Sequence, residues 1–394
     1  MNGPSAEQVL DFVQSQRRPM LKLLRRLVEA ESPSTRVDSH RQVRAILSTE
    51  LQSLGFKVRT PGPLNAERHV YARAAQRRKL AQRQLLIGHF DTVWPLGTIS
   101  ERPFTVDGNE VRGPGVFDMK GGLVQMIYAV KAVYELGDGP QIEPVIFINA
   151  DEEIGSRSST KLIRWLAQNA SRAFVLEPAM GEQGDLKTER KGIGRFTVTV
   201  FGKSAHAGLD PRSGASAILE LSHVIQTLFS LNDVDRGISV NVGTVDGGMQ
   251  ANVVAAHSQA VVDVRVPTLQ AGDEIERAIH AIEPVTPGVR LKIEGGIGRP
   301  SMEATPRNQA LWARAKAVGS KLGMDLQATH VGGGSDGNTT SQYTATLDGL
   351  GPVGDGAHAE HEFLYIDKTL QRTALLAMLL LEPDLAESIE TECA

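Results

Sequence analysis

Two patterns of apolar residues alternate along the first 189 residues. One has apolar residues three and four positions apart, and the other consists of short continuous apolar runs. Apolar side chains spaced three and four apart predict helices over 6–30 and 39–54, the first divided at Pro19 and the second ended by Gly55. Short apolar runs predict buried strands at 84–88, 145–149, 173–176 and 344–347, with helices between them at 122–136 and 158–168. Strands that alternate with helices predict an α/β fold, with a mixed, mostly parallel sheet covered on both faces.

The pattern changes near residue 190, where apolar and polar positions alternate strictly, as in antiparallel strands with one exposed face. The alternating strands are at 194–201, 238–245 and 258–266, with helices at 214–230 and 273–282. At 308–322 the chain returns to the pattern of its first 189 residues, with a predicted helix. Two helices with about four strands match the ferredoxin-like α+β pattern. We therefore predict an inserted α+β domain at 190–301, within an α/β domain formed by 1–189 and 302–394.

Composition and charge exclude several classes of partner. The 394 residues carry a formal net charge of −4, so the chain lacks the basic surface that nucleic acids or anionic membranes attract. No apolar run reaches the ~18 residues of a membrane-spanning helix. The N-terminal residues lack the pattern of a signal peptide. Cys393 is the one cysteine, so no intramolecular disulfide can form. These features predict a cytoplasmic protein without nucleic-acid or membrane partners.

Ionisable residues follow three of the predicted strands at their carboxyl ends. His89 and Asp91 follow the first strand, the pair 152–153 (Glu-Glu) follows the second, and Glu177 follows the third. Ligands bind at this edge in open α/β sheets. Asp118 adds a carboxylate from a glycine-rich loop that opens onto a helix. So many carboxylates in one cleft would raise each other's pKa, and a divalent cation removes that conflict.

The types of ligand indicate which metals would bind. Imidazole and carboxylate without thiolate suit zinc, with cobalt or manganese as alternatives. The carboxylates outnumber what one ion needs, which favours a two-metal site with a bridging aspartate. Of Glu152 and Glu153, one can then bind metal while the other stays free as general base on the attacking water. The residues therefore predict metal-assisted hydrolysis.

Two further segments, SAHAG at 204–208 and GAHAEHE at 356–362, complete a set of six motifs in order along the chain. The set resembles the M20 metallopeptidase family, most closely its glutamate carboxypeptidase branch, with aminoacylases and acetylornithine deacetylases as cousins. The resemblance implies a zinc-peptidase-like catalytic domain interrupted by a lid domain that also forms a dimer contact.

The resemblance also implies a role for each metal-site residue. The two zinc ions of each subunit would be bound by His89 and Glu177 on one side, by Glu153 and His358 on the other, and by Asp118 as the bridge. Asp91 would accept the second ring N–H of His89 and so fix its tautomer. Glu152 would be the general base and later the acid. His358 is preferred to His361 as the ligand because it stands four residues before Glu362, the spacing that family members show.

Residues of the inserted domain would complete the site. By the resemblance, His206 would reach the active site of the partner subunit and stabilise the oxyanion, which implies a homodimer through the lid domain. Arg299, Arg265 and Asn252 would line the substrate pocket, where a guanidinium can pair with a carboxylate. Gly333 and Gly334 belong to a segment, 332–337, that lacks the Lys-Ser/Thr ending of a phosphate-binding loop. The resemblance makes it a backbone wall of the pocket instead.

The predicted function is hydrolysis of the amide bond to an amino acid with a free carboxylate. A glutamate carboxypeptidase acting on N-acyl-glutamate or C-terminal glutamate is preferred, and an N-acyl-amino-acid deacylase or a dipeptidase is the alternative. A phosphoesterase and a metal-free binding protein are rivals from other classes. The remaining histidines are expected to be surface or packing residues: His40, His69, His223, His257, His280 and His330. Trp94 is expected to pack rather than to line the cleft.

Overall fold

A computed structural model of the chain describes residues 3–62, 68–76 and 82–385, so Cys393 lies outside the described residues. In chain order, the strands are β1 (Phe56–Arg59), β2 (Val70–Ala74), β3 (Arg83–His89), β4 (Thr105–Asp107), β5 (Glu110–Arg112), β6 (Glu143–Asn149), β7 (Arg172–Val175), β8 (Leu186–Arg190), β9 (Gly192–Phe201), β10 (Ser239–Gly247), β11 (His257–Val266), β12 (Arg290–Arg299), β13 (Ala328–Val331), β14 (Ala345–Leu347), β15 (Gly354–Asp355) and β16 (Phe363–Tyr365). The helices are α1 (Ala6–Ser15), α2 (Arg17–Glu29), α3 (His40–Ser53), α4 (Thr98–Glu101), α5 (Gly121–Glu135), α6 (Thr160–Gln168), α7 (Ala217–Ser230), α8 (Leu269–His280), α9 (Pro306–Lys321), α10 (Asp336–Thr340) and α11 (Ile366–Leu381).

The chain divides into two compact units. Unit 1 consists of Met1–Thr188, Ala304–His330 and Ser335–Ala394, and unit 2 consists of Glu189–Glu303 and Val331–Gly334. Unit 2 thus includes a four-residue segment that the predicted insertion, 190–301, did not contain.

The main sheet of unit 1 has the strand order β1-β2-β6-β3-β7-β14. The pairs β6–β3, β3–β7 and β7–β14 are parallel, whereas β1–β2 and β2–β6 are antiparallel. Alternate side chains of β3 pack into different apolar clusters. Leu86 packs into the larger cluster, whereas Leu85 and Ile87 pack into a second cluster that includes residues of α6. Because successive strand residues point to opposite faces, both faces of the sheet are covered. The predicted mixed, mostly parallel α/β sheet is confirmed.

The structure corrects the predicted break in the first helix. The chain leaves the helix at Gln16, and Pro19 lies in the first turn of α2, where a backbone N–H has no partner within the helix. The second helix ends as expected, because Gly55 follows α3 with a φ of +81°. Helix α11 was not predicted. It is buried on nearly all sides, so its apolar residues show no helical period.

Unit 2 contains an antiparallel sheet with the strand order β10-β11-β9-β12. One face of it packs against both α7 and α8, with Val262 and Val264 of β11 among the residues of the shared core. The predicted antiparallel strands and paired helices are confirmed, and β12 supplies the fourth strand. Strand β10 is at one edge of this sheet, and from Thr244 to Gly247 its residues are exposed. Among the described residues, no helix is both long and apolar enough to span a membrane.

Candidate active site

His89 ends β3 in the interior of unit 1, where its side chain is 1% exposed. Its Nδ1 lies 2.9 Å from the main-chain oxygen of Asp91, so Nδ1 carries a proton and Nε2 faces the opposite way. Within the described part of the chain, Nε2 makes no hydrogen bond. It lies 3.3 Å from Asp118 Oδ1 and 3.5 Å from Glu177 Oε1.

The surroundings of His89 favour positive charge at Nε2. Burial alone would lower the pKa of His89, but the carboxylates of Asp118, Asp91 and Glu177 outweigh burial and hold it well above its ordinary value. A proton or a metal ion at this nitrogen relieves the repulsion among the carboxylates. The orphaned Nε2 atom and the carboxylate oxygens facing it are therefore suited to bind a metal.

Asp118 offers one oxygen to each of two histidines. Its Oδ1 faces His89, and its Oδ2 lies 3.5 Å from His358 Nε2. Oδ1 is buried and makes no hydrogen bond to the described residues. The Asp118–Met119 peptide bond is cis. A carboxylate with an oxygen toward each side has the placement that a bridging ligand requires.

The second histidine pairs with Glu153. His358 Nε2 lies 2.9 Å from Glu153 Oε2, and this bond raises the pKa of His358 to about 9. Burial raises the pKa of Glu153 to about 8, with Asp118 adding repulsion. His358 has a φ of +62°, a left-handed backbone conformation that a residue other than glycine rarely adopts. Glu153 and His358 together therefore favour a positive charge, from a proton or a metal ion, beside Asp118.

Glutamates 152 and 177 complete the cluster. Glu177 follows β7, and burial together with the negative charge of Asp118 raises its pKa. A Cβ at Gly122 would collide with the main-chain oxygen of Leu176, so glycine lets α5 approach the end of β7. Two groups have ligand atoms within 4.8 Å of one another: His89, Glu152 and Glu177, and His89, Asp118 and Glu153. The structure therefore brings together the six residues predicted to form the metal site and its base.

Asp91 differs in detail from the prediction. The ring N–H of His89 is accepted by the main-chain oxygen of Asp91, whereas the nearer carboxylate oxygen is 3.5 Å away. The carboxylate accepts the backbone N–H of Glu152 at 3.2 Å and of Glu153 at 3.3 Å, and the hydroxyl of Ser34 at 2.8 Å. Asp91 thus orients both the imidazole and the turn that carries the glutamate pair.

The structure assigns Glu362 a role that the sequence did not reveal. Its buried carboxylate accepts the backbone N–H groups of Gly115 at 2.8 Å, Phe117 at 2.9 Å and Asp118 at 3.1 Å. The indole N–H of Trp94 donates to the same carboxylate at 2.9 Å. Trp94 was expected only to pack. It instead helps to fix Glu362, which in turn fixes the loop that carries Asp118.

The neighbouring histidine, His361, takes no part in this cluster. Its exposed ring lies 3.9 Å from Asp355, and Glu153 and Asp118 face His358 instead.

In unit 2, His206 is exposed, and the backbone of two following residues fixes the tautomer of its ring. Nδ1 accepts the N–H groups of Gly208 at 3.1 Å and Leu209 at 3.2 Å. Nε2 of a neutral ring then carries the proton and can donate it to an acceptor. The main-chain oxygen of Asn252 accepts the N–H of Ala207, so Asn252 and His206 lie on adjacent segments.

The predicted substrate residues of unit 2 fall into a second group. Arg265 pairs with both carboxylate oxygens of Asp263, at 2.8 and 3.1 Å, a partner that the sequence did not indicate. Arg190 donates to the main-chain oxygen of Gly333 at 3.0 Å. A Cβ at Gly334 would lie 3.5 Å from Arg299 Cδ. The glycine segment and Arg299 are therefore neighbours within the unit.

Comparison with known proteins is consistent with this geometry. The profile of peptidase family M20/M25/M40 matches residues 85–382. The chain belongs to this family. The prediction of an M20 metallopeptidase is confirmed, and the matched segment includes the cluster of potential metal ligands.

Individual members of the family show how far the likeness extends. Carboxypeptidase G2 of Pseudomonas sp. (strain RS-16) is 26% identical over 378 residues, which cover 92% of this chain and 89% of that protein. Succinyl-diaminopimelate desuccinylase of Acidovorax ebreus (strain TPSY) is 26% identical over 339 residues, 79% of this chain and 85% of that protein. The crystal structure of aminopeptidase PepT from Bacillus cereus has a TM-score of 0.74 at 20% identity, over 94% of this chain and 99% of that one. That last likeness shows a shared fold.

Proposed function

We propose that this M20 hydrolase binds two zinc ions and releases glutamate from N-acyl-glutamate or from the C-terminus of a peptide. The observation that carries the proposal is the placement of Asp118, with one carboxylate oxygen 3.3 Å from His89 Nε2 and the other 3.5 Å from His358 Nε2. The likeness to carboxypeptidase G2 over 92% of the chain supports the choice of a carboxypeptidase.

The metal ligands divide into two sets around Asp118. His89 and Glu177 would hold one ion, Glu153 and His358 the other, and Asp118 both. Zinc suits this set of imidazoles and carboxylates, and cobalt or manganese would be accepted by the same ligands. When bound, the ions polarise the scissile carbonyl and lower the pKa of water.

Glu152 supplies the proton transfers. It lies within the same group of potential ligand atoms as His89 and Glu177, while Asp91 fixes its backbone through the Glu152 N–H. Its carboxylate accepts the proton of the attacking water. It then delivers this proton to the nitrogen of the departing amine, so that one residue serves first as base and then as acid.

His206 would donate from Nε2 to the oxyanion that forms on the substrate carbonyl. The two backbone N–H groups at its Nδ1 keep this nitrogen an acceptor and so support the donor role of Nε2. We further propose that two chains pair through unit 2, and that His206 of the partner subunit serves each active site. Exposed apolar side chains support pairing there, since Val245 of edge strand β10 is 59% exposed and Met249 is 91% exposed.

Arg299 and Arg265 would bind the carboxylate of the substrate. Asn252 would line the pocket, with the backbone of Gly333 and Gly334 as one wall. A planar guanidinium matches a carboxylate with two parallel hydrogen bonds. A deacylase or a dipeptidase is the second candidate. The similarity to a desuccinylase over 79% of the chain favours the deacylase among these. The cytoplasmic location stays a prediction from the sequence.

Amine release from N-acyl-glutamate and N-acyl-alanine tests the proposal. The protein is stripped with a chelator, and both substrates are compared before and after zinc is added back. A strong preference for the glutamate compound, seen only with metal, supports the carboxypeptidase. Preference for the alanine compound assigns the protein to the deacylases, and hydrolysis of neither, with zinc bound, contradicts the proposed substrate class.

A further inference from the structure

His69, for which the sequence predicts only a surface or packing role, contacts the segment that carries the glutamate pair. It immediately precedes β2 and is 2% exposed. Its Nδ1 accepts the backbone N–H of Ala150 at 3.2 Å, and its Nε2 lies 3.2 Å from Ser158 Oγ. Ala150 and Ser158 belong to the connection between β6 and α6, which also contains Glu152 and Glu153.

The two contacts define the state of the His69 ring. Because Nδ1 accepts a hydrogen bond from Ala150, Nε2 of the neutral ring carries the proton and donates to Ser158 Oγ. That hydroxyl donates in turn to Asp151 Oδ2 at 2.7 Å. Burial lowers the pKa of His69 to about 4, so the ring is neutral near pH 7. A series of hydrogen bonds therefore runs from the Ala150 N–H through His69 and Ser158 to Asp151, and each bond in it has a defined donor and acceptor.

Other side chains hold the rest of this connection. Asp336 accepts the side-chain N–H of Asn149 at 2.5 Å and the hydroxyl of Ser156 at 2.5 Å. Asp91 accepts the backbone N–H groups of Glu152 and Glu153. Ala150 lies between these two anchored parts and is completely buried, and His69 supplies the acceptor that its N–H needs there.

We propose that His69 is a positioning residue, which holds the backbone of Ala150 and thereby sets the placement of Glu152 and Glu153. A side chain that acts through one backbone N–H controls geometry and not substrate binding. Its loss should lower kcat with little change in KM. The kinetic part of this inference rests on the proposed hydrolytic function, whereas the backbone part does not.

Two substitutions separate the contacts of the ring. Asparagine has a polar atom at the position of Nδ1 and can still accept from Ala150, whereas glutamine has its polar atoms further out, near the position of Nε2. Hydrogen–deuterium exchange of the metal-free protein is followed in peptides covering 149–159. We expect His69→Gln to raise exchange there at least about tenfold, and His69→Asn to stay within about threefold of the unchanged protein. His223→Gln, at an exposed position on α7, is the matched control.

Kinetics of the zinc-loaded variants should follow the same order. We expect His69→Gln to lower kcat by about tenfold or more with KM nearly constant, since small displacements of reacting groups are costly. His69→Asn should recover most of kcat. If the Gln variant does not fold, Ser158→Ala provides the exchange test, because it removes the acceptor of the Nε2–H group. We then expect faster exchange at 149–159.

Either of two results would overturn the inference. One is unchanged exchange at 149–159 in the Gln variant, or in Ser158→Ala where that variant takes its place. The other is equal loss in the Asn and Gln variants, which would mean that the Ala150 contact is not what matters. Absence of hydrolysis by the unchanged protein would instead contradict the proposed function, and the exchange measurement would still decide the role of His69.

Discussion

Glu362 accepts the backbone N–H of Asp118 at 3.1 Å, although 244 residues separate them in the chain. The same carboxylate accepts from Gly115 and Phe117, so one buried side chain holds the loop that leads into Asp118, the proposed bridging ligand. His358 is four residues before Glu362. The segment that supplies His358 to the proposed metal site thus also sets the position of the proposed shared ligand, Asp118.

Replacing Glu362 by Gln should weaken metal binding. The amide has one acceptor oxygen instead of two, and its NH₂ group would face N–H donors of the loop. We expect zinc affinity to fall by about 10–100-fold, as for other residues that orient metal ligands. The measurement is zinc titration of the chelated protein against a competing indicator. Trp94→Phe is the control, since it removes one donor and leaves the three backbone contacts, and its loss should be clearly smaller.

Substitution of the adjacent glutamates, Glu152 and Glu153, should show which one transfers protons and which one binds metal. We expect Glu152→Gln to lower kcat by about 10²–10⁴-fold, the range for loss of a general base, with zinc content near that of the unchanged protein. Glu153→Gln should lose zinc as well as activity, because it removes the carboxylate that pairs with His358 at 2.9 Å. Metal analysis beside turnover rates provides the check. Loss of zinc from the Glu152 variant would argue that Glu152 is a ligand and not the base.

A large part of the candidate site follows from the sequence, because strand periodicity locates it. His89 and Glu177 come directly after short apolar runs that predict buried strands, and parallel strands bring their carboxyl ends to one edge. The family resemblance then contributed His358, which no local pattern marks as a ligand.

What the sequence did not reveal are contacts between distant segments and elements without a period. His69 acts on Ala150, 81 residues away, and nothing near His69 in sequence indicates that contact. Asp91 was correctly placed beside His89, but which of its oxygens accepts the ring N–H depends on the backbone. The short strands β1 and β2 and the largely buried α11 lack the periodic signal on which such predictions depend.

Hybrid dimers would test whether His206 acts across the subunit contact. We expect His206→Ala to lower kcat by about 10²–10³-fold, the cost of losing one oxyanion donor, with zinc retained. Mixing the inactive His206→Ala and Glu152→Gln chains should restore activity, because a hybrid contains one site with both residues intact. Activity that does not rise on mixing, in samples where hybrids are detected, would place His206 in the site of its own chain.

The pairing surface can be tested separately. We expect Val245→Lys, a charge placed on the exposed edge strand β10, to convert the proposed dimer to a monomer in light scattering. Thr199→Ser, on the central strand β9 of the same sheet, should leave the dimer unchanged. A dimer that survives the Lys substitution would move the contact away from β10.

The low pKa of His69 should make the free energy of unfolding depend on pH between about 4 and 6.5. Burial, together with the nearby charge of Arg68, outweighs Asp151 and lowers the pKa of His69 to about 4, whereas the unfolded residue titrates near ~6.5. Between these values the unfolded chain binds the extra proton. The stability that the neutral ring contributes is therefore complete above pH ~6.5 and is lost as the pH falls toward 4, by about 1 kcal/mol per pH unit. We expect urea unfolding of the metal-free protein to show this loss and His69→Asn, which cannot titrate, to lack it. Equal pH dependence of the two proteins between pH ~4.5 and ~6.5 would mean that the buried ring does not remain neutral.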